Sequence, residues 1–151
     1  MTQTLGSFLT GVQNKEFAIK TGTQTHLLLQ HVVVDDIAGN HGSPEIIKEI
    51  QNHPELKRFF AVNAKTEVPI AGYINGCLIS RRIDRMIINQ ESKVIDFVDY
   101  KTDTEKNEFI NQYEHQLSEY AQLLKSAYPD YKINGYILWL HDWQLDHIKT
   151  I

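Results

Sequence analysis

Hydrophobic and polar positions in the first part of the chain follow the spacing of short helices separated by helix breakers. Ser43 and Pro44 are residue types that favour the N-cap and the first turn of a helix. The glycines just before them interrupt an earlier run that is dense in leucine and valine and long enough for a buried helix. We therefore predict three helical segments: Gln24–Ile37, Pro44–Asn52 and Pro54–Phe60.

After Phe60 the pattern changes, because Val, Ile and Phe dominate and good helix formers become few. The polar turn Asn89–Ser92 separates two such runs and predicts an antiparallel hairpin. Glu105–Ala127 places its apolar residues on one stripe and predicts a long helix. The predicted strands are Val62–Ile70, Gly76–Ile88, Lys93–Tyr100, Lys132–Leu140 and Gln144–Ile148. This element order favours an α/β (α+β) fold in which helices flank a sheet.

The composition of the 151-residue chain, 42% hydrophobic and 23% charged, is typical of one globular domain and excludes disorder. No apolar run approaches the ~20 residues that span a bilayer, and the N-terminal residues lack the pattern of a signal peptide. Cys77 is the single cysteine, which excludes an internal disulfide and a four-cysteine iron–sulfur cluster. We expect a cytoplasmic protein with no membrane partner.

The charge balance limits how this chain could bind nucleic acid. It has 15 Lys and Arg residues against 19 Asp and Glu residues, a formal net charge of -4. Proteins that bind nucleic acid by broad neutralisation of phosphates are usually basic. Binding would therefore need a local basic patch, bound metal ions or a basic neighbouring domain.

Two aspartates and a lysine lie near the ends of neighbouring predicted strands. Because strand side chains alternate between faces, Asp99 and Lys101 should point one way and Tyr100 the other. The predicted hairpin can bring Asp84 beside Asp99, an arrangement that a divalent cation between the carboxylates would stabilise. A lysine there could orient a water or neutralise charge on a phosphate. The alternative is ordinary ion pairing at strand ends.

Four further residues carry weaker signals, each with a plain structural alternative. His26 could be a metal ligand or a packed core histidine, and Glu67 could add a carboxylate or be a solvated strand end. Gln116 lies in the apolar stripe of the long helix, where a buried amide needs partners. At the edge of a cleft it could bond a phosphate or a base, whereas the nearby Tyr120 most simply belongs to the core.

Five segments, taken in order, resemble the motifs of one nuclease family. The most specific pair is V-D-Y-K-T at Val98–Thr102 followed by Y-x-x-Q-L-x-x-Y at Tyr113–Tyr120. The other three motifs are at Gly22–His31, Glu67–Ile70 and Ile83–Met86. In this order the segments resemble the RecB-type nuclease domain of the PD-(D/E)XK superfamily, and in particular the C-terminal nuclease domain of RecB/AddA-type helicase-nucleases. The resemblance implies a restriction-endonuclease-like core with a central mixed sheet flanked by helices.

The resemblance also implies a role for each matched residue. The catalytic residues would be Asp84, Asp99 and Lys101. The ligands of a catalytic Mg²⁺, with Mn²⁺ as a substitute, would be His26, Asp84, Asp99 and the backbone carbonyl of Tyr100. The DNA contacts would be Gln116, Tyr120 and Arg85, of which Gln116 and Tyr120 would also hold the lysine, and Glu67 would be accessory. A local basic rim would comprise Lys65, Arg81, Arg82, Arg85 and Lys101.

The function that the resemblance implies is metal-dependent hydrolysis of DNA phosphodiester bonds, as exonuclease or endonuclease, in double-strand-break repair and recombination. The DNA would be single strands delivered by a helicase in cis or in trans. The chain has no G-x-x-x-x-G-K-[ST] motif, so we expect no ATP site in it. Its length predicts one nuclease domain, residues 1–151, cut from a longer helicase-nuclease. A non-catalytic nucleic-acid-binding or scaffolding module is the main alternative, and a recombination exonuclease acting on duplex ends is a third.

Overall fold

The computed structural model describes residues 24–151, which form a five-stranded sheet with helices on both faces. The helices are α1 (24–30), α2 (Pro44–Asn52), α3 (Lys57–Phe60) and α4 (Lys106–Ala127), and a 3-10 turn, Pro54–Leu56, precedes α3. The strands are β1 (Lys65–Ile74), β2 (Cys77–Asn89), β3 (Val94–Lys101), β4 (Lys132–Trp139) and β5 (Gln144–Thr150). None of the helices in residues 24–151 is both long and apolar enough to cross a membrane.

The strands lie side by side in the order of the chain, β1–β2–β3–β4–β5. Short turns join β1, β2 and β3, so these strands are antiparallel. The long helix α4 returns the chain across the sheet, and β4 therefore runs parallel to β3, while β5 pairs antiparallel to β4. The predicted fold class, a central mixed sheet flanked by helices, is confirmed.

Alternating side chains of β3 enter two hydrophobic cores, one on each face of the sheet. Phe97 packs in the core beneath α4, whereas Val98, the next residue, packs in the core beneath α2 and α3. Both residues are fully buried. Because β3 is covered on both faces, its carboxyl end is held between two layers, and Asp99 and Lys101 occupy that end.

The second predicted helix begins where the sequence indicated. The Ser43 hydroxyl accepts a hydrogen bond from the Ile46 N–H at 3.3 Å, and Pro44 occupies the first turn. This bond satisfies a backbone donor that the first turn of a helix leaves unpaired. The buried face of α2 consists of Ile46 and Ile50, which are four residues apart and so lie on one side of the helix.

The first predicted helix is shorter than the expected Gln24–Ile37, because α1 ends at residue 30. Beyond it the backbone is extended: Val33 forms a β-bridge with His41, and the Val34 N–H donates to the Phe60 carbonyl at 2.8 Å. Extended backbone suits β-branched residues and lets Val34 reach the core. The apolar density that predicted a longer helix therefore belongs to a helix followed by an extended segment.

Near Asp84 the side chains of β2 change the face of the sheet to which they point, and the backbone of β1 is distorted opposite this position. Ile83 packs in the core beneath α4, yet Arg85, two residues later, contacts the chain on the opposite face. In a regular strand these two side chains would share a face, so β2 reverses at Asp84. Opposite Asp84, Glu67 of β1 has a φ of 50°, which is uncommon for a residue other than glycine. The reversal in β2 therefore lies opposite a strained residue of β1.

Gly135 of β4 lies against an aromatic ring of the neighbouring strand. A Cβ added at this position would lie 2.7 Å from Cζ of Phe97, which is closer than packed carbon atoms approach. Because Phe97 is fully buried, its rigid ring has no free space to enter. We expect Gly135→Ala to lower the free energy of unfolding by about 1–3 kcal/mol, measured by urea denaturation.

Gly72→Ala in β1 is the matched control for that variant. The added Cβ would meet Cδ2 of Leu123 at 3.0 Å, and this atom is the end of a flexible side chain. We expect a change of less than about 1 kcal/mol, since a small rotation of Leu123 relieves the contact. Equal losses in the two variants would contradict the rigidity assigned to Phe97.

Candidate active site

The carboxylates of Asp84 and Asp99 lie on adjacent antiparallel strands, one step beyond the paired residues Arg85 and Val98. Both are buried, at 5% and 4% exposure. Asp84 Oδ2 accepts a hydrogen bond from the Tyr100 backbone N–H at 2.8 Å, which fixes one carboxylate to the partner strand. The predicted hairpin therefore does bring the two acidic residues together.

Lys101 joins this pair from the end of β3. Its Nζ lies 2.7 Å from Asp99 Oδ2 and donates a hydrogen bond to Gln116 Oε1 on α4 at 2.8 Å. The ammonium also lies 4.2 Å from the centre of the Tyr113 ring, a cation–π contact. Gln116 Nε2 in turn donates to the Tyr120 hydroxyl at 2.8 Å. The lysine is thus held between a carboxylate, an amide and an aromatic face.

His26 of α1 approaches the same carboxylates from the other side. Its Nδ1 lies 3.1 Å from Asp84 Oδ1, and its ring meets the Tyr100 ring edge-on with centroids 5.4 Å apart. Burial alone would lower the pKa of His26, but the hydrogen bond to Asp84 and the charges of Asp84, Asp99 and Glu67 raise it overall. His26 is therefore a polar residue of the site and not an isolated core histidine.

The electrostatic field of the site favours added positive charge. Burial raises the pKa of Asp99 to about 6; Lys101 opposes this shift and the charge of Asp84 adds to it. Burial and the charge of Asp84 likewise raise the pKa of Glu67, whose carboxylate also lies 3.8 Å from an Arg82 guanidinium nitrogen. Three acidic side chains therefore share one field, and a cation among them would relieve their repulsion.

The carboxylates and the imidazole of this site are residue types that bind divalent cations, but they are not already arranged around a common point. Carboxylate and carbonyl oxygens are the preferred ligands of Mg²⁺ and Mn²⁺, and imidazole is a common ligand of transition-metal ions. Asp99 Oδ2 is a buried oxygen whose close neighbour is the Lys101 ammonium, at 2.7 Å. However, within residues 24–151 no three His, Cys, Asp or Glu side chains are arranged as a ready metal-binding group. His26 and Lys101 contact the carboxylates in separate pairs.

Two of the predicted DNA contacts disagree with the structure. Arg85 is 1% exposed and its guanidinium is bonded to backbone carbonyls and to Tyr100, so the prediction that it contacts DNA or forms part of a basic rim is wrong. Tyr120 is 3% exposed with its hydroxyl bonded to Gln116, and it belongs to the core. Gln116 is partly exposed and contacts the lysine, and its role toward DNA stays a prediction.

Exposed arginines of β2 flank the site but already have partners. Arg81 forms an ion pair with Glu119 of α4 at 3.1 Å, and Arg82, whose side chain is 68% exposed, lies near Glu67.

Gly22 and Thr23 of the first motif lie outside the described residues. The sequence did not indicate the aromatic support of Lys101 by Tyr113, since that contact depends on how α4 crosses the sheet.

Several solved structures are similar to this chain, and two of them are crystal structures of longer proteins. The chain matches no protein-family model and no curated protein. The crystal structure of SSO0001 has 21% identity and a TM-score of 0.41, over 69% of this chain and 48% of that chain. A crystal structure from Eubacterium rectale, described as "Putative exonuclease", has 12% identity and a TM-score of 0.46, over 99% of this chain and 60% of that chain. This chain therefore spans about half to three fifths of the length of these two structures.

Proposed function

We propose that this chain is a metal-dependent nuclease domain that hydrolyses phosphodiester bonds of DNA. The observation that carries the proposal is the convergence of His26, Asp84, Asp99 and Lys101, from three separate elements, at a pair of adjacent buried carboxylates. Ordinary surface ion pairs are exposed, whereas both aspartates here are buried next to each other. The motif order of the sequence supports the same assignment.

The residues that would hold Mg²⁺ or Mn²⁺ are His26, Asp84, Asp99 and the backbone carbonyl of Tyr100. The bound ion would supply Lewis-acid activation of water and of the scissile phosphate. Lys101, fixed between Asp99 and Gln116, would place its ammonium against the negative charge that develops on the phosphoryl oxygens. Gln116 would keep the ammonium aimed at that position, because its amide oxygen accepts from Nζ.

The substrate we propose is a single DNA strand delivered by a helicase. The net charge of -4 gives the chain little general attraction for a duplex, and the exposed arginines near the site are few and paired. A delivered strand needs fewer phosphate contacts than one captured from solution, since a motor supplies the high local concentration. A role in recombination and repair is part of this proposal.

The test is cleavage of end-labelled single-stranded DNA with Mg²⁺, with Mn²⁺ and with chelator. Lys101→Met should reduce the cleavage rate by about 10²–10³-fold, the size expected when a donor that stabilises transition-state charge is removed. Lys106→Met is the matched control, because its ammonium bonds Asp142 and Gln144 outside the site. Cleavage by the unmodified protein that does not exceed that of Lys101→Met would refute the proposal.

A second candidate function is a binding module that keeps the nuclease fold without catalysis. The observation in its favour is the lack, among residues 24–151, of three acidic or imidazole side chains already arranged for a metal. Calorimetric titration with Mn²⁺ separates the two functions. A nuclease should show a site that Asp84→Ala removes, and a scaffold should show no such site.

A further inference from the structure

Arg85 is a buried cation that the chemistry proposed above does not use. Its side chain is among the largest that are fully buried in the described part of the chain. Its hydrogen-bond partners are three backbone carbonyls and one hydroxyl, and its guanidinium carbon lies 4.2 Å from the centre of the Phe60 ring. Burying a guanidinium with only neutral partners costs free energy, so we ask what Arg85 stabilises in return.

The three carbonyls belong to two segments that pack in the same hydrophobic core, the end of α1 and the helix α3. Nη2 donates to the carbonyls of Leu29 at 2.7 Å and Val32 at 2.6 Å, at the end of α1. Nη1 donates to the carbonyl of Phe59 in α3 at 2.9 Å. The last carbonyls of a helix have no partner within the helix. Leu29 is in the last turn of α1, and its carbonyl also accepts from the Val32 N–H at 3.1 Å, whereas Val32 lies just beyond the helix. Arg85 therefore ties the helix that carries His26 to the strand that carries Asp84.

The fourth partner of Arg85 reaches His26 by a second route. Nε donates to the Tyr100 hydroxyl at 2.7 Å, and the Tyr100 ring is the surface against which the His26 ring rests edge-on. The backbone N–H of Tyr100 also donates to Asp84 Oδ2. The Arg85 guanidinium thus fixes two neighbours of the His26 imidazole, the helix α1 that carries it and the Tyr100 ring beside it. The imidazole contacts the Asp84 carboxylate next to them.

We propose that Arg85 is a positioning residue that holds the imidazole of His26 beside Asp84 through the end of α1 and through Tyr100. The importance of this role rests on the proposed nuclease function, whereas the contact between His26 and Asp84 is a feature of the fold. Residues that orient metal ligands from behind typically change metal affinity by about 10–100-fold when they are replaced. Arg85 would act on the metal site in this way without touching DNA.

The test uses the full chain and two variants. Tyr100→Phe removes the acceptor of Nε but keeps the ring beside His26, and Arg85→Lys keeps the charge but cannot span four acceptors. We expect both to weaken Mn²⁺ binding, measured by calorimetry, by about 10–100-fold. We also expect both to shift the imidazole signals of His26 in nuclear magnetic resonance spectra of the metal-free protein, assigned with His26→Gln. If Arg85→Lys does not fold, Tyr100→Phe alone decides.

Leu124→Ala is the control for general destabilisation, because Leu124 is on the buried face of α4, eight residues beyond Gln116. It should leave the His26 signals and the Mn²⁺ affinity unchanged. Unmoved His26 signals in Tyr100→Phe, an unchanged affinity despite moved signals, or equal effects in Leu124→Ala would each overturn the inference. If the unmodified protein binds no Mn²⁺, the nuclease proposal fails separately, and the metal-free spectra still decide whether Arg85 positions His26.

Discussion

Asp99→Asn is expected to abolish metal-dependent DNA cleavage while the protein stays folded. The amide keeps the size of the side chain but removes the charge that would hold a divalent cation and pair with Lys101. Replacing a buried carboxylate that organises an active site by its amide commonly costs about 10⁴-fold in rate. The measurement is the rate of release of labelled nucleotides under single-turnover conditions with Mg²⁺ and with Mn²⁺.

The stability of this variant distinguishes lost chemistry from lost fold. Burial raises the pKa of Asp99 to about 6, so the folded protein holds this proton more tightly than the unfolded chain does. Neutral pH lies above the pKa of Asp99 in both the folded and the unfolded chain, so the ionised carboxylate there lowers the free energy of unfolding. This destabilisation fades as the pH falls through about 6. At pH 7.5 the melting temperature of Asp99→Asn should therefore be no lower than that of the unmodified protein.

Asp96→Asn, in the same strand, is the matched control for Asp99→Asn. Asp96 accepts hydrogen bonds from Arg58 and Asn134, one on each oxygen and both outside the site, and an asparagine oxygen can still accept one of them. We expect cleavage within about threefold of the unmodified rate, since the carboxylate pair is untouched. Comparable loss in both variants would show that Asp99 has no special role.

Arg85→Met should cause the largest loss of stability of any single change considered for this chain. The variant would leave buried carbonyls at Val32 and Phe59 without a donor and would break the link to the Tyr100 hydroxyl. Each buried acceptor left unpaired costs about 1–3 kcal/mol, and losing the burial cost of the charge offsets only part of this. We expect a loss of about 3–5 kcal/mol, a large share of the stability of a typical domain.

Arg82→Met gives the comparison, because it changes the same residue type three positions earlier in β2. The Arg82 side chain is 68% exposed, and its contact with Glu67 is a loose ion pair at 3.8 Å. We expect a change within about 0.5 kcal/mol, as for most surface substitutions. Urea denaturation followed by circular dichroism measures both variants. A loss from Arg85→Met as small as that from Arg82→Met would contradict the assignment of Arg85 as an internal tie.

The elements set by local chemistry could be predicted from the sequence. The long helix was predicted as Glu105–Ala127 and spans Lys106–Ala127, and the third strand was predicted as Lys93–Tyr100 and spans Val94–Lys101. Apolar periodicity and β-branched residues determine such elements within their own sequence. The hairpin between β2 and β3 followed from its polar turn, and the proximity of Asp84 and Asp99 followed from the hairpin.

What could not be predicted depends on contacts between distant parts of the chain. The helix α1 ends near Leu29 and Val32, whose carbonyls are bonded by Arg85, 56 and 53 positions away in sequence. No local sequence pattern predicts where α1 ends. For the same reason Arg85 was mistaken for a surface residue that binds DNA. The signal that could have found it is an arginine inside a run of isoleucine and methionine, in a strand with both faces covered.

The reversal at Glu67 and Asp84 divides the β1–β2 hairpin into two parts with different tolerance to redesign. β2 pairs with β1 over most of its length but with β3 only from Arg85 onward, so the outer part of the hairpin projects beyond the main sheet. Its turn at Asn75 and Gly76 can accept a longer loop, such as an inserted epitope or a spectroscopic label, without a shift of Asp84. A single-residue insertion in β2 between Asp84 and Arg85 would shift Asp84 by one position relative to β3 and turn its carboxylate away from the site.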